Sequence, residues 1–177
     1  MGDAKSTLYG TVSTHGARMK LVPCSAADAE RLNADLRDGD RMEHEHFASE
    51  ERGAELTVER RFRVLVGGEE CAHGGVQLPP WQSPICRTRV IYLLSTRAAD
   101  RHRVDYARAT RAALGRIAAS LPPWVDTLNC IPMAKYAKSV KWLEWSGWKR
   151  VGEFPVRGEK VLVMEISRKE AEKWKSR

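Results

Sequence analysis

The run Val90-Ile91-Tyr92-Leu93-Leu94 stands just ahead of the clearest helical pattern in the chain, and those two segments together commit the sequence to a mixed α/β domain. An unbroken apolar run within 89–95 suits a central strand, covered on both faces. Over 103–121, Val104, Ala107, Leu114, Ile117 and Leu121 recur near one stripe while Arg108, Arg111 and Arg116 fall away from it. This is the pattern of a helix with one face on a core and a basic face in solvent. Pro122-Pro123 stops that helix, and 125–131 reads as a further strand. Upstream, Phe62, Val64 and Val66 alternate, Gly67-Gly68 supplies a turn and 71–78 follows, so the pair reads as a β-hairpin. Gly74-Gly75 inside its second strand predicts a bulge or close packing.

The flanking segments complete the order. A short strand at 19–23 ends in proline, and Ser25 with Asp28 forms a capping-box start for a helix carrying Ala27, Leu32 and Leu36. Asp38-Gly39-Asp40 is expected to break that helix, with a polar helical stretch at 41–51 after it. Towards the C-terminus, 133–146 places Tyr136, Val140 and Leu143 on one helical face and ends at Gly147. Strands at 151–154 and 161–166 then turn at Arg157-Gly158. A chain of 177 residues with 42% hydrophobic content fits one core, expected to span 18–166 between a flexible arm at 1–17 and a charged tail at 167–177 that reads as a frayed helix.

Composition excludes several classes. No apolar run approaches the roughly 18 residues of a membrane span, and 1–20 lacks the hydrophobic core of a secretory signal, so the expectation is a cytoplasmic protein with no membrane partner. Cys24, Cys71, Cys86 and Cys130 form neither CxxC pairs nor a Cys/His cluster, which points to reduced thiols and to no metal. The net charge of +7 is unevenly placed: 25–60 holds 11 acids against 5 bases, 87–121 holds 8 bases against 2 acids, and 133–177 holds 12 bases against 6 acids. The basic second half suits an anionic ligand or nucleic acid.

This element order, with the run Lys141-Trp142-Leu143-Glu144-Trp145-Ser146-Gly147-Trp148-Lys149-Arg150-Val151-Gly152-Glu153, resembles the GCN5-related N-acetyltransferase (GNAT) superfamily. There the penultimate helix ends in a Gly-aromatic pair, as at Gly147-Trp148. Within the superfamily, the Gly-Gly strand at 71–77 and the pair Trp142-Leu143 look closest to the GNAT-like internal virion proteins of tailed phages. The resemblance implies a GNAT-like fold, with a mostly antiparallel mixed sheet, and an acetyl-CoA site at Leu94, Ser95, Arg97, Arg101, His102, Arg103 and Val104.

Against the family motif (Gln/Arg)-x-x-Gly-x-(Gly/Ala), this chain reads Arg101-His102-Arg103-Val104-Asp105-Tyr106. Both glycines are replaced, and Asp105 brings a negative charge to a place where backbone amides should meet phosphates. The general-acid tyrosine of many members corresponds to Leu143, and the asparagine often found before it corresponds to Tyr136. Tyr136 or Cys130 is then the substitute acid, and Glu43, His44, Glu45, His46 and His73 are the groups available to an amine acceptor.

Three readings stay open on these residues: an acetyl-CoA-dependent N-acyltransferase acting on an amine; a non-catalytic protein of phage type with degenerate acetyl-CoA motifs, partnered by phage structural proteins; and a nucleic-acid-binding module. His44 and His46, two apart, cannot share a ligand from one helical face. Trp142, Trp145 and Trp148 read as core packing or a lid before they read as a stacking surface.

Overall fold

The structure is a computed structural model that describes residues 8–14, 17–48, 58–78 and 86–174. Eight strands form one sheet in the order β1-β2-β3-β4-β5-β6-β8-β7. They are β1 (Gly10–Thr14), β2 (Ala17–Pro23), β3 (Val58–Val66), β4 (Glu69–Gln77), β5 (Thr88–Ser95), β6 (Thr127–Cys130), β7 (Lys149–Val156) and β8 (Glu159–Ser167). Every neighbouring pair is antiparallel except β5 and β6, joined through α3 (Ala98–Arg101) and α4 (Arg103–Ser120). The remaining helices are α1 (Ala26–Asn33), α2 (Asp38–Ala48), α5 (Ala137–Trp145) and α6 (Arg168–Glu172). The expected mixed α/β architecture is therefore present, with β1 and α3 added to it and the tail helix ordered as α6.

Strand alternation assigns the two faces. Phe62, Val64 and Val66 of β3 are buried in one cluster with Ala109, Ala112 and Ala113 of α4. Arg63, on the opposite side of the same strand, reaches Asp28 of α1 at 3.1 Å. So α4 covers one face and α1 the other. Arg111 of α4 lies between the rings of Trp145, on α5, and Trp174, just beyond α6, at 4.6 and 4.7 Å from their centroids. That sandwich places α5 and α6 on the α4 face.

Several expectations need correction. The arm at 1–17 contains β1, which pairs with β2 from Gly10↔Leu21 to Thr14↔Ala17, and Leu8 ahead of it is buried. The tail is not frayed: Ser167 caps α6, and Ala171 and Trp174 are buried in the main core. Asp38-Gly39-Asp40 does not break a helix but opens α2, where the two acids suit the positive end of the helix dipole. Leu36 leaves the first helix and bridges Thr96 instead. Val104, assigned to the buried stripe of α4, is 63% exposed, because it sits in the first turn beyond the sheet edge. The bulges lie at Val58/Arg60 and Val64/Leu65, not at Gly74-Gly75, whose role is close packing. Residues 79–85, whose Pro79, Pro80 and Pro84 read as a loop from sequence, lie outside the described residues.

The start of α1 is as read. Ser25 Oγ accepts from Asp28 N at 3.0 Å, and Asp28 Oδ2 accepts in return from Ser25 N at 3.0 Å and from Ser25 Oγ at 2.7 Å. Ser25→Ala removes that reciprocal cap and should cost about 1 kcal/mol. Urea denaturation is the check, and a midpoint unchanged from the parent would show that α1 is held by packing alone. At the other end of the chain, Gly147 has φ +84 and Trp148 N donates to Leu143 O, closing α5 as expected.

Candidate active site

The parallel pair β5/β6 is short. Thr88, Arg89 and Val90 pair with Thr127, Leu128 and Asn129, after which β5 runs on to Ser95 and β6 ends at Cys130. Beyond Val90, the β6-facing edge of β5 is taken up by α2 and its approach: Ser95 N donates to Asp40 Oδ1 at 2.9 Å, and Arg37 N donates to Ser95 O at 3.0 Å. A cavity of about 1300 Å³ occupies this gap and reaches both faces of the sheet. On the α4 face it is walled by Tyr106, Ala107, Thr110 and Leu114 of α4 and by Ser139, Trp142 and Leu143 of α5, with Arg103 and Lys138 also lining it. On the α1/α2 face its wall is Glu30, Asn33, Arg37, Asp40, Glu43 and His44 over Arg61, His73, Tyr92 and Leu94.

A polar network crosses the top of the gap. Arg37 donates to Asp40 Oδ2 at 3.0 Å and to Ser95 Oγ at 2.8 Å, and Ser95 Oγ shares a 2.8 Å hydrogen bond with Tyr106 Oη. Burial pushes the Asp40 carboxyl up against the opposing pull of Arg37 and Ser95, and burial likewise pushes the Tyr106 phenol up, so it stays a neutral hydroxyl. One turn further along α2, Glu43 Oε1 accepts from Met133 N at 2.9 Å. Burial raises its carboxyl to about 7, helped by the charge of Asp40 and opposed by the Met133 hydrogen bond.

The residues singled out from sequence divide sharply. Glu43 and Cys130 line the cavity together, and burial and the Glu43 carboxylate keep the Cys130 thiol protonated. Tyr136 does not line it; its hydroxyl is buried without a hydrogen-bond partner and its ring packs where Gly39 has no side chain. Leu94, Ser95 and Arg103 line the cavity, while Arg97, Arg101, His102 and Val104 do not. Arg101 is tied to Glu69, which also has His102 at 3.6 Å, and Arg97 lies 4.0 Å from Asp35, so most of the expected cationic loop is neutralised. His73 is buried, with Nε2 2.9 Å from Asn33 Oδ1, and burial holds its imidazole down at about 4, hence neutral. His73 is one of the groups the sequence offers to an amine acceptor; Arg61, Tyr92, Asn129 and the Arg37–Asp40 pair are not among them, because sequence spacing carries no signal for groups gathered from separate strands and helices.

The phosphate end differs from a glycine-rich cradle. The extra turn α3 uses the amides of Ala99, Asp100 and His102 on Thr96 O, Arg97 O and Ala99 O, and Tyr106 N donates to His102 O. The amides of Arg103, Val104 and Asp105 begin α4 and face outwards by helix geometry. Tyr106 turns inwards to Ser95 and Val104 outwards to solvent.

No protein-family model matches the chain, and no curated protein matches it in sequence. Solved structures do match it in fold. An uncharacterized protein from Bacillus halodurans superposes with a TM-score of 0.67 at 12% identity, covering 94% of this chain and 96% of that one. Aminoglycoside acetyltransferase AAC(6')-Ib in complex with coenzyme A and kanamycin gives a TM-score of 0.63 at 14% identity, covering 88% of this chain and 98% of that one. An acetyltransferase of the GNAT family from Bacillus anthracis gives 0.59 at 14% identity, covering 90% and 99%. None of these three is described as a virion protein. A mixed eight-stranded sheet opened between β5 and β6, with those structures superposing on nearly all of it, gives the chain the fold of the GNAT acetyltransferases.

Proposed function

We propose that the chain is an N-acyltransferase that moves an acyl group from a CoA thioester to an amine, with Glu43 as the general base. The observation that carries this reading is the cavity itself: it joins a groove between α4 and α5 to a polar wall under α1 and α2, with the Glu43 carboxyl lining it. The side chains present fit an acyl-CoA in outline. Arg103 and Lys138 make no ion pair among the described residues, and with the first-turn amides of α4 they would hold phosphate. When bound, the cofactor supplies an activated acyl carbonyl.

The protein's own groups supply the proton chemistry. Glu43 Oε1 is held by Met133 N, leaving Oε2 to take a proton from the acceptor ammonium and release the amine as a nucleophile. A carboxyl near 7 is poised for this at neutral pH; as the C–N bond forms and the C–S bond breaks, the amine's second proton would pass to the departing thiolate, and Glu43 would release its own proton to solvent to reset the site. Leu143 has no proton to give, and the raised Cys130 thiol keeps its own. Trp142 and Leu143 present apolar surface that keeps water from the gap.

Calorimetric titration with acetyl-CoA, beside CoA and polyphosphate, tests the first half. Saturable binding that survives moderate salt is expected, with Arg103→Ala weakening it by roughly tenfold through loss of a charge-assisted contact. Binding matched by polyphosphate, or none, would overturn the reading. It would leave the non-catalytic alternatives, a virion or assembly component with degenerate acetyl-CoA motifs, or a nucleic-acid binder.

A further inference from the structure

The geometry points to an acceptor amine that also carries a carboxylate, with Arg61 as the group that holds that carboxylate on the α1/α2 wall. This rests on the acyltransferase reading of the cavity. β3 places three arginines close together, and two are spent: Arg60 donates to Ser120 O and Ser120 Oγ at 3.1 and 2.7 Å, and Arg63 pairs with Asp28 and Glu70 at 3.1 and 2.7 Å. Arg61 lines the cavity, and among the described residues no carboxylate lies within ion-pair distance of it, Glu30 of the same wall included. The other cavity-lining cations are accounted for differently. Arg37 is paired with Asp40, and Arg103 and Lys138 belong to the α4 and α5 groove.

The surroundings of Arg61 are those of a ligand wall. Strand register puts Arg61, Gly75 and Tyr92 in one row across the sheet, with Arg63, His73 and Leu94 in the next. A Cβ on Gly75 would come within 2.6 Å of the Tyr92 ring, so that ring reaches over β4 in the row that holds Arg61. The backbones of β3 and β5 are two strand spacings apart, roughly 10 Å. The absent side chain at Gly75 is thus what lets an aromatic surface fill the row between them. His73 is only 3% exposed, lines the same wall and has no partner at Nδ1; with Nε2 donating to Asn33 Oδ1, that nitrogen is a bare acceptor. Burial first, and then the nearby His44 and Arg61, disfavour the charged form of this imidazole. One guanidinium for the carboxylate and an aromatic surface for the methylenes match a short zwitterion whose ammonium extends to Glu43, with the His73 acceptor available to an N–H of the ligand and not to its carboxylate. A single cation on this wall without an ion pair among the described residues favours a monoanion over a dianionic phosphate.

The test is a ladder of ω-amino acids from glycine to 6-aminohexanoate, each beside the n-alkylamine of equal length, with phosphoethanolamine as the dianion. Release of free CoA thiol is followed for the parent, Arg61→Gln and Arg61→Lys. At least one ω-amino acid should exceed its alkylamine in kcat/KM by about tenfold or more. Arg61→Gln should abolish that preference through a raised KM for the ω-amino acid, bringing it to the level of its alkylamine, and Arg61→Lys should restore part of it. Alkylamines used equally well, a preference that survives Arg61→Gln, or phosphoethanolamine as the better acceptor would each overturn the assignment. Equilibrium binding of N-acetyl-β-alanine, measured by calorimetry without CoA, reads the carboxylate contact independently of turnover. It should weaken about tenfold or more in Arg61→Gln, and equal affinity in the two proteins, or none in either, counts against the assignment. Loss of thiol release with every amine, together with no acetyl-CoA binding, instead removes the acyltransferase reading.

Discussion

Glu43→Gln should lower kcat/KM for amine acylation by about 10²- to 10⁴-fold, the range for loss of a general base. The parent's rate should climb with pH through an inflection near 7, where the buried carboxyl ionises, and then level until the acceptor's own ammonium titrates. The variant should lack the lower inflection and keep the upper one. Retention of activity within threefold, inflection included, would remove Glu43 from the chemistry.

The same substitution should make the protein more stable at pH 8. In the folded chain the Glu43 pKa is raised from 4.5 to about 7, so the folded state binds more protons than the unfolded state between those values. Its contribution is fully present below 4.5, falls as pH rises towards 7, and above that leaves a constant deficit. The deficit amounts to at most about 3 kcal/mol. Glutamine keeps an oxygen for Met133 N without the charge, so its thermal midpoint should exceed the parent's by several degrees at pH 8 and by little at pH 5. A group that is costly at the pH where it is ionised, yet lines the cavity, is in keeping with a functional rather than a structural role.

The second large effect is on the sheet. Gly74→Ala places a Cβ against the carbonyl oxygen of Tyr92 and 2.9 Å from Cζ of Phe62. The first neighbour is backbone and the second is a ring 1% exposed, so neither can yield cheaply and β4 must move from β5. A loss of about 3 kcal/mol is expected, or a thermal midpoint lower by roughly 6–12 °C. Gly152→Ala in β7 is the control, since its new Cβ would meet Val163 at an ordinary 3.8 Å and change the midpoint little. A Gly74 variant within two degrees of the parent would mean that the β4/β5 spacing has slack.

The elements were legible because their signals are local. The box at Ser25 and Asp28, the turn at Gly67-Gly68, the stop at Pro122-Pro123 and the C-cap at Gly147 each act within a few residues of themselves. The ends misled for the complementary reason. β1 and α6 have little periodicity of their own, and they are ordered by β2, by the core around Ala171 and by the Trp174 stack on Arg111.

The site was legible only in part. Glu43, Cys130 and His73 stand out by residue type, and Ser95 and Arg103 through the family resemblance, yet nothing in their spacing says that they share one cavity while Tyr136 does not line it. The motif at 101–106 reads as a blocked cradle because both glycines are gone. What those side chains do depends on the fold: Tyr106 turns in to Ser95, Arg101 goes to Glu69, and the α4 amides stay at the helix end. Sequence by itself determined the α/β order, the long basic helix and the strand that opens the sheet, since periodicity and caps are properties of short stretches. Only tertiary structure decided which arginine of β3 lines the cavity with no ion pair among the described residues and which carboxyl is held near neutrality. Pairing and desolvation are set by neighbours far apart in the chain.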